Sequence, residues 1–372
     1  MHFSYSIEAN KNLTNKIVFF ILTLVYLFSL TFDGILVRQF LTVSFFLFCV
    51  FYFFKNRVTF HPVVIFTAFF LVAVFFLFAC LSPNENWKLK VFVVFSGLTF
   101  ILVSYCLALL DYNKYFYHVF LITLVIIIFR YLMTGDENKI FFEASRNIVA
   151  AYVIFPAVSA ILLSKNKKRN LTLSFVCLII CFFLKGRTGI ILGTLLFFVT
   201  IYSYIGWRLV LLLSFLIFPI IIVSGISDFD EVLIKHTNFS EGLKTTRSVI
   251  YHEYFTGFSE SNIFFGRAFN EMPIIKMLNN NPHNSFILLH SLFGVVPTIL
   301  MILFFLIVFY LFFKRKKFIT ALMFMIFPIK ALTDSVVFFN LLDVFYFSPL
   351  FFLLFYMEHS RKQDHLSRRM GN

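Results

Sequence analysis

Charged side chains are scarce in this chain: Asp, Glu, Lys and Arg make up 13% of its 372 residues, about half the share found in soluble domains. That shortage excludes a globule solvated by water on all sides. Apolar and polar residues do not alternate over ten-residue stretches, which argues against a membrane β-barrel. No Walker or dinucleotide glycine loop is present, so nothing points to an ATP-driven pump. The acidic residues and histidines show no metal-ligand spacing, and no metal or other cofactor is inferred. Cys49, Cys80, Cys106, Cys177 and Cys181 all lie in or at the ends of apolar runs. Thiols are common among buried residues, and these are read as packing.

What the chain has instead is apolar bulk. Hydrophobic residues make up 60% of it, aromatic residues 21%, and Phe alone occurs 59 times. The apolar runs repeatedly approach the roughly 20 residues that cross a bilayer core as helix. They predict an all-α polytopic membrane protein with about twelve spans: 17–31, 35–54, 62–81, 91–110, 115–132, 148–163, 171–184, 188–205, 209–223, 285–313, 318–339 and 341–357. Span seven is short and is expected to borrow its ends from the adjoining loops. The last two spans sit so close together that a broken or re-entrant helix is one reading. Lys11 and Lys16 precede the first run, but YLFSLTFDG at 26–34 lacks a small-residue cleavage pattern, so this span is expected to be retained.

Basic residues orient the spans. Lys55 and Arg57, Lys114, SKNKKRN at 164–170, Arg208, KRKK at 314–317, and Arg361, Lys362, Arg368 and Arg369 all fall on alternate connections. By the positive-inside rule that side is cytoplasmic, with both termini on it. ENWK near Glu85, GDENK at 135–139, KGR at 185–187 and the long stretch 226–283 face the other way. The net charge of +14 is therefore lipid-facing electrostatics rather than a nucleic-acid groove.

Three parts follow: a first membrane section, 1–225; an external loop domain, 226–283; and the last helices, 284–372. The loop mixes acidic and basic residues. LKTTRSVIYHEYFTGF at 243–258 suits an amphipathic helix with Val249, Ile250, Tyr254 and Phe255 near its apolar side, and Pro273 opens a second short helix. The loop is expected to be a folded cap.

Few polar residues stand where chemistry needs them. Arg187 lies at an external mouth between Gly186 and Gly189, where a snorkelling arginine is the bland alternative. Arg247 and Arg267 sit in the loop, with a helix-surface cation as the plain reading. His283, between Pro282 and Asn284, marks the return to the membrane, where such residues also serve as turn and cap.

Taken in order, these segments resemble the O-antigen polymerase and O-antigen ligase superfamily of bacterial polytopic glycosyltransferases. The resemblance rests on SRNIVAAY at 145–152, GRTGIILG at 186–193, TTRSVIYHEYFTGF at 245–258 with FFG at 264–266, and PHNSFILLHSLFG at 282–294. It implies that Arg187 and Arg247 recognise a polyprenyl-linked pyrophosphate and that His283 activates an acceptor hydroxyl. Arginine keeps its charge and offers several donors to phosphate oxygens. Histidine takes up a proton near neutral pH. Substrate contacts are expected from Arg146, Asn147, Arg267, Asn284, His290 and Asp334. Arg267 departs from the family's tendency toward a second glycine after FFG and ranks behind the other two arginines. Asp334, in KALTDSVVF, is expected to anchor the external cavity, and His290 lies near the helical face of His283.

The resemblance implies a polymerase of lipid-linked repeat units in the bacterial inner membrane, with its active site facing the periplasm and membrane lipids around it. A chain-length regulator is an implied partner. A ligase to lipid A-core is the near alternative, although HNSFILLH lacks the acidic residue that ligases often carry just after the His-Asn pair. A flippase or other transporter would also need many spans and a cationic cavity, but no inverted repeat is visible.

Overall fold

A computed structural model describes residues 2–58, 62–83, 86–142, 144–206, 246–269, 272–278, 281–336, 338 and 340–352. Every regular element among them is helical. The first eight are α1 (His2–Ser29), α2 (Ile35–Asn56), α3 (Pro62–Leu81), α4 (Trp87–Leu109), α5 (Tyr115–Thr134), α6 (Arg146–Leu163), α7 (Lys167–Phe183) and α8 (Arg187–Ile205). Among the described residues six helices, α2, α4, α5, α6, α8 and a later one at Val295–Lys314, are long and apolar enough to cross a membrane, and four shorter apolar helices accompany them.

The bundle is built around α6, whose residues from Val149 to Ile161 are all buried. Phe155 of α6 packs edge-on against Phe327, and the Ser159 hydroxyl donates to the Phe345 carbonyl at 2.6 Å. Peripheral helices keep large apolar side chains on their outer faces, including Phe40, Leu47 and Phe51 on α2 and Val125, Phe129 and Leu132 on α5. This is the surface of helices solvated by lipid tails, where association relies on packing rather than on water exclusion. Small residues mark the close crossings. A Cβ on Gly189 would come within 2.9 Å of the Ala150 Cβ, so α8 lies tightly against α6.

Boundaries differ from expectation where polar residues continue a helix. α1 starts fifteen residues before the expected span, and α7 recruits the basic KKRN turn, capped by the Asn166 side chain accepting from Arg169 N at 3.1 Å. α7 thereby gains length, in line with the borrowed ends expected of it. Span nine, 209–223, the loop up to 245 and the basic tail lie outside the described residues.

The run 285–313 departs from the single span expected, and 318–339 takes the broken form that was one reading of the last two spans. The run 285–313 is broken at Gly294 into α12 (Ser285–Phe293) and α13 (Val295–Lys314), because Gly294 takes φ 78°, ψ −169°. The run 318–339 becomes α14 (Phe318–Phe324) and α15 (Ile326–Thr333). Pro328 lacks the amide that would bond to the Phe324 carbonyl, which loosens the ladder there. The chain then leaves the helix at Asp334 in an extended conformation, and a short 3-10 segment, Leu341–Asp343, follows. The Asp343 carboxylate accepts from Phe338 N and Asn340 N at 3.0 and 2.8 Å.

The described part of the stretch 226–283 folds into α9 (Thr246–Phe255), α10 (Glu260–Phe265) and α11 (Pro273–Met277). Ile250, Tyr254, Phe269, Met272 and Ile275 form a small core with Ile287 of α12. Of the four expected apolar-face residues, Ile250 and Tyr254 are buried while Val249 and Phe255 are exposed.

Candidate functional site

α9 is held in place by side chains that answer the bare ends of helices. Nη1 of Arg267 donates to the carbonyls of Glu253, Tyr254 and Thr256 at 3.3, 3.1 and 2.8 Å, closing the C-terminal end of α9. Glu253 in turn accepts from Ile274 N and Ile275 N at 3.1 and 3.2 Å, which places a carboxylate at the N-terminus of α11. His290 bridges α9 and α10 to α12. The Tyr254 hydroxyl lies 2.6 Å from its Nδ1, the Ile263 carbonyl lies 2.9 Å from its Nε2, and Phe258 stacks on the ring. A carbonyl only accepts, so Nε2 carries the proton and the Tyr254 hydroxyl donates to Nδ1.

Backbone meets backbone under α10. Gly266 (φ 88°) packs on the carbonyls of His290 and Ser291, and Gly294 packs on the carbonyl of Phe264. A Cβ at either glycine would overlap those atoms. The FFG and LFG stretches thus form one seam between the loop and the α12–α13 junction.

This scaffold presents Arg247 and Tyr251, one turn apart on α9, to the start of α12 and the end of α15. The Tyr251 hydroxyl donates to the Leu332 carbonyl and accepts from Asn284 Nδ2, both at 3.3 Å. Asn284 caps α12, its Oδ1 accepting from Phe286 N and Ile287 N at 2.8 and 3.2 Å, while its own amide reaches Ser335 Oγ at 3.2 Å. Ser285 locks the same corner by donating to the Asp334 carbonyl at 2.7 Å.

Asp334 is fully buried between two cations, with Lys330 Nζ at 2.6 Å from Oδ2 and Arg247 Nη2 at 3.5 Å from Oδ1. Two positive charges against one negative leave the corner electropositive. His283 borders it with φ 50°, its amide donating to Asn281 Oδ1 at 3.0 Å. Histidine is one of the residues that tolerate this left-handed conformation. Burial lowers the His283 pKa from the ordinary histidine value; the Asp334 charge opposes that shift, and the Arg247 charge adds to it. The imidazole is therefore held neutral at neutral pH, able to accept a proton.

No family model, curated protein or solved structure matches this chain. The chemistry of the corner is therefore argued from its own residues.

A second group gathers at the start of α6 and α8. Glu137 accepts from Arg146 Nη1 at 3.5 Å and from Lys185 Nζ at 3.2 Å. The Asn147 side-chain oxygen lies against Gly186, where a Cβ would approach it to 2.5 Å, and Arg187 follows as the first residue of α8. The expected site residues thus fall into three neighbourhoods: Arg247, His283, Asn284 and Asp334; Arg146, Asn147 and the 185–187 turn; and Arg267 with His290, where Arg267 Nη1 and both His290 ring nitrogens bind the scaffold. Lys330 and Tyr251 are functional candidates that reading the sequence passed over. An i,i+4 Lys–Asp pair inside an apolar run, PIKALTD, was the available signal for Lys330.

A half-open cavity of about 250 Å³ lies beside the first group, lined by Tyr251, Tyr254, Phe255, Asn284, Phe286, Ile287, His290 and Thr298. Its walls are almost wholly apolar. Among the described residues no three His, Cys, Asp or Glu side chains gather as a cation site.

Proposed function

We propose that this chain is a membrane glycosyltransferase that polymerises lipid-linked oligosaccharide repeat units, moving a growing glycan from polyprenyl pyrophosphate to a hydroxyl of another lipid-linked repeat. The observation that carries this reading is the juxtaposition of Arg247 with a neutral His283 at one electropositive corner. The acceptor hydroxyl oxygen attacks the anomeric carbon of the donor, the bond from that carbon to the pyrophosphate oxygen breaks, and the hydroxyl proton passes to the free imidazole nitrogen. Arg247 stabilises the negative charge growing on the departing pyrophosphate, and Asp334 stabilises the imidazolium that forms. A positioned base of this kind contributes about 10²–10⁴ in rate.

On a reading of alternating spans, with twelve crossings and both termini cytoplasmic, the 145–147 and 185–187 group shares the external end with the Arg247 corner. Arg146, Asn147 and Arg187 then line the approach to the pyrophosphate, in the bacterial inner membrane with the site toward the periplasm. The apolar cavity next to Tyr251 suits the lipid part of such a substrate, and a chain-length regulator remains a partner of this reading.

The deciding experiment is the glycan profile of a clean gene deletion, complemented with wild type, Arg187→Ala or His283→Ala. A surface glycan cut to a single repeat and restored to a ladder only by wild type supports polymerase. Long polyprenyl-linked chains with none on lipid A assign the ligase reaction instead, and unchanged profiles in the deletion defeat both readings.

A further inference from the structure

The two oxygens of the Asp334 carboxylate have unequal partners. Oδ2 accepts from Lys330 Nζ at 2.6 Å and from Thr333 Oγ1 at 3.4 Å. Among the described residues, Oδ1 faces only the looser ion pair with Arg247 at 3.5 Å and, although buried, accepts no hydrogen bond. The cations differ in the same sense. The Lys330 side chain has no exposed surface, whereas that of Arg247 keeps 29%. Lys330 also belongs to the same helix end as Asp334, one turn away, while Arg247 comes from the loop helix α9. One cation is built in and the other is held lightly at the rim.

We propose that Asp334 is a resting place for the Arg247 guanidinium, which moves onto the incoming polyphosphate, and that Lys330 is the positioning residue that neutralises the buried carboxylate once Arg247 has left. A carboxylate stripped of its last partner in such a place carries a heavy desolvation penalty. The permanent Lys330 contact removes that penalty from the binding step. Arg247 is meanwhile kept ordered and charged at the site without being satisfied there. This inference rests on reading the corner as a pyrophosphate site, and it adds how that site releases its arginine.

The two partners of the arginine's resting place then act on anion affinity with opposite signs. Asp334→Asn removes the competitor for Arg247 and tightens binding several-fold. Lys330→Met leaves the carboxylate dependent on Arg247 and weakens binding by about tenfold, the worth of one charge-assisted contact. The measurement is calorimetric titration of the full-length protein in nanodiscs with farnesyl pyrophosphate, on wild type, Arg247→Ala, Lys330→Met and Asp334→Asn, with thermal unfolding of the same samples. Opposite shifts establish the exchange. Equal weakening in both variants, in step with lowered unfolding temperatures, reduces the pair to structural support and overturns it. Should Lys330→Met fail to fold, Asp334→Asn decides alone: tighter binding supports the exchange and weaker binding refutes it. If wild type binds no better than Arg247→Ala, the pyrophosphate reading itself fails and takes this inference with it.

Discussion

Gly294→Ala tests whether the loop and the bundle are locked together by the glycine seam. At φ 78°, ψ −169° the position lies in a region that essentially only glycine occupies, and holding alanine there costs about 1–3 kcal/mol. The added Cβ also runs into the carbonyl oxygen and carbon of Phe264, with the Phe265 Cα 2.9 Å away. Backbone atoms cannot swing aside, so overpacking adds about 1–3 kcal/mol. Gly135 supplies the control. It has φ 64° and nothing within 4 Å of an added Cβ, so Gly135→Ala carries only left-handed strain, about 1–2 kcal/mol. The assay is thermal unfolding of full-length protein in detergent, followed by size-exclusion chromatography. Gly294→Ala should unfold at a clearly lower temperature than Gly135→Ala, and its glycan ladder should be lost because α9 no longer holds Arg247 at the corner. Equal unfolding temperatures for the two variants would refute the seam.

Arg247→Ala should abolish the glycan ladder, with a rate loss of about 10²–10³ if it supplies one stabilising contact to the leaving group; a full ladder from this variant removes Arg247 from the site. Because the folded-state pKa of His283 lies below its ordinary value, transfer should rise with pH through a midpoint under about 6.5 and be flat at neutral pH, and a midpoint above that value contradicts the neutral base. By the same shift, His283 contributes stability that is fully present above the unfolded-state pKa and lost as pH falls through the folded one, a trend His283→Gln should flatten in unfolding measured against pH. His290→Phe keeps the ring stack but removes the partner of the part-buried Tyr254 hydroxyl and of the exposed Ile263 carbonyl; a loss of about 1–3 kcal/mol is expected, chiefly at the Tyr254 hydroxyl, visible as faster proteolysis within residues 246–278, and wild-type resistance there would show that the bridge is idle.

Helix type and approximate placement were legible wherever an apolar run was long, as with α2 to α6. Breaks were legible only in part. Gly294 sat in plain view inside LFGVVP, but a lone glycine is tolerated in many membrane helices, and what forbids a side chain there is the Phe264 backbone, thirty residues away. Arg247 and His283 stood out as candidates because both stand in polar stretches beside apolar ones. Lys330 was hidden because its meaning depends on Asp334 being buried, and burial of a residue near a span's end follows from its neighbours rather than its own sequence. Arg267 shows the reverse. A lone loop arginine suggested a ligand contact, yet Nη1 donates to three carbonyls at the end of α9.

The glycine seam also bears on timing. Contacts between two stretches of main chain, reinforced by the His290 bridge and the Arg267 clasp, are set when the protein folds and do not need to be remade with each substrate. The ordering entropy of the cap is then charged once, at assembly. In the proposed reaction, repeated many times on the same growing product, each cycle would begin from a corner that is already built, with the Arg247 guanidinium as the group proposed to change partners.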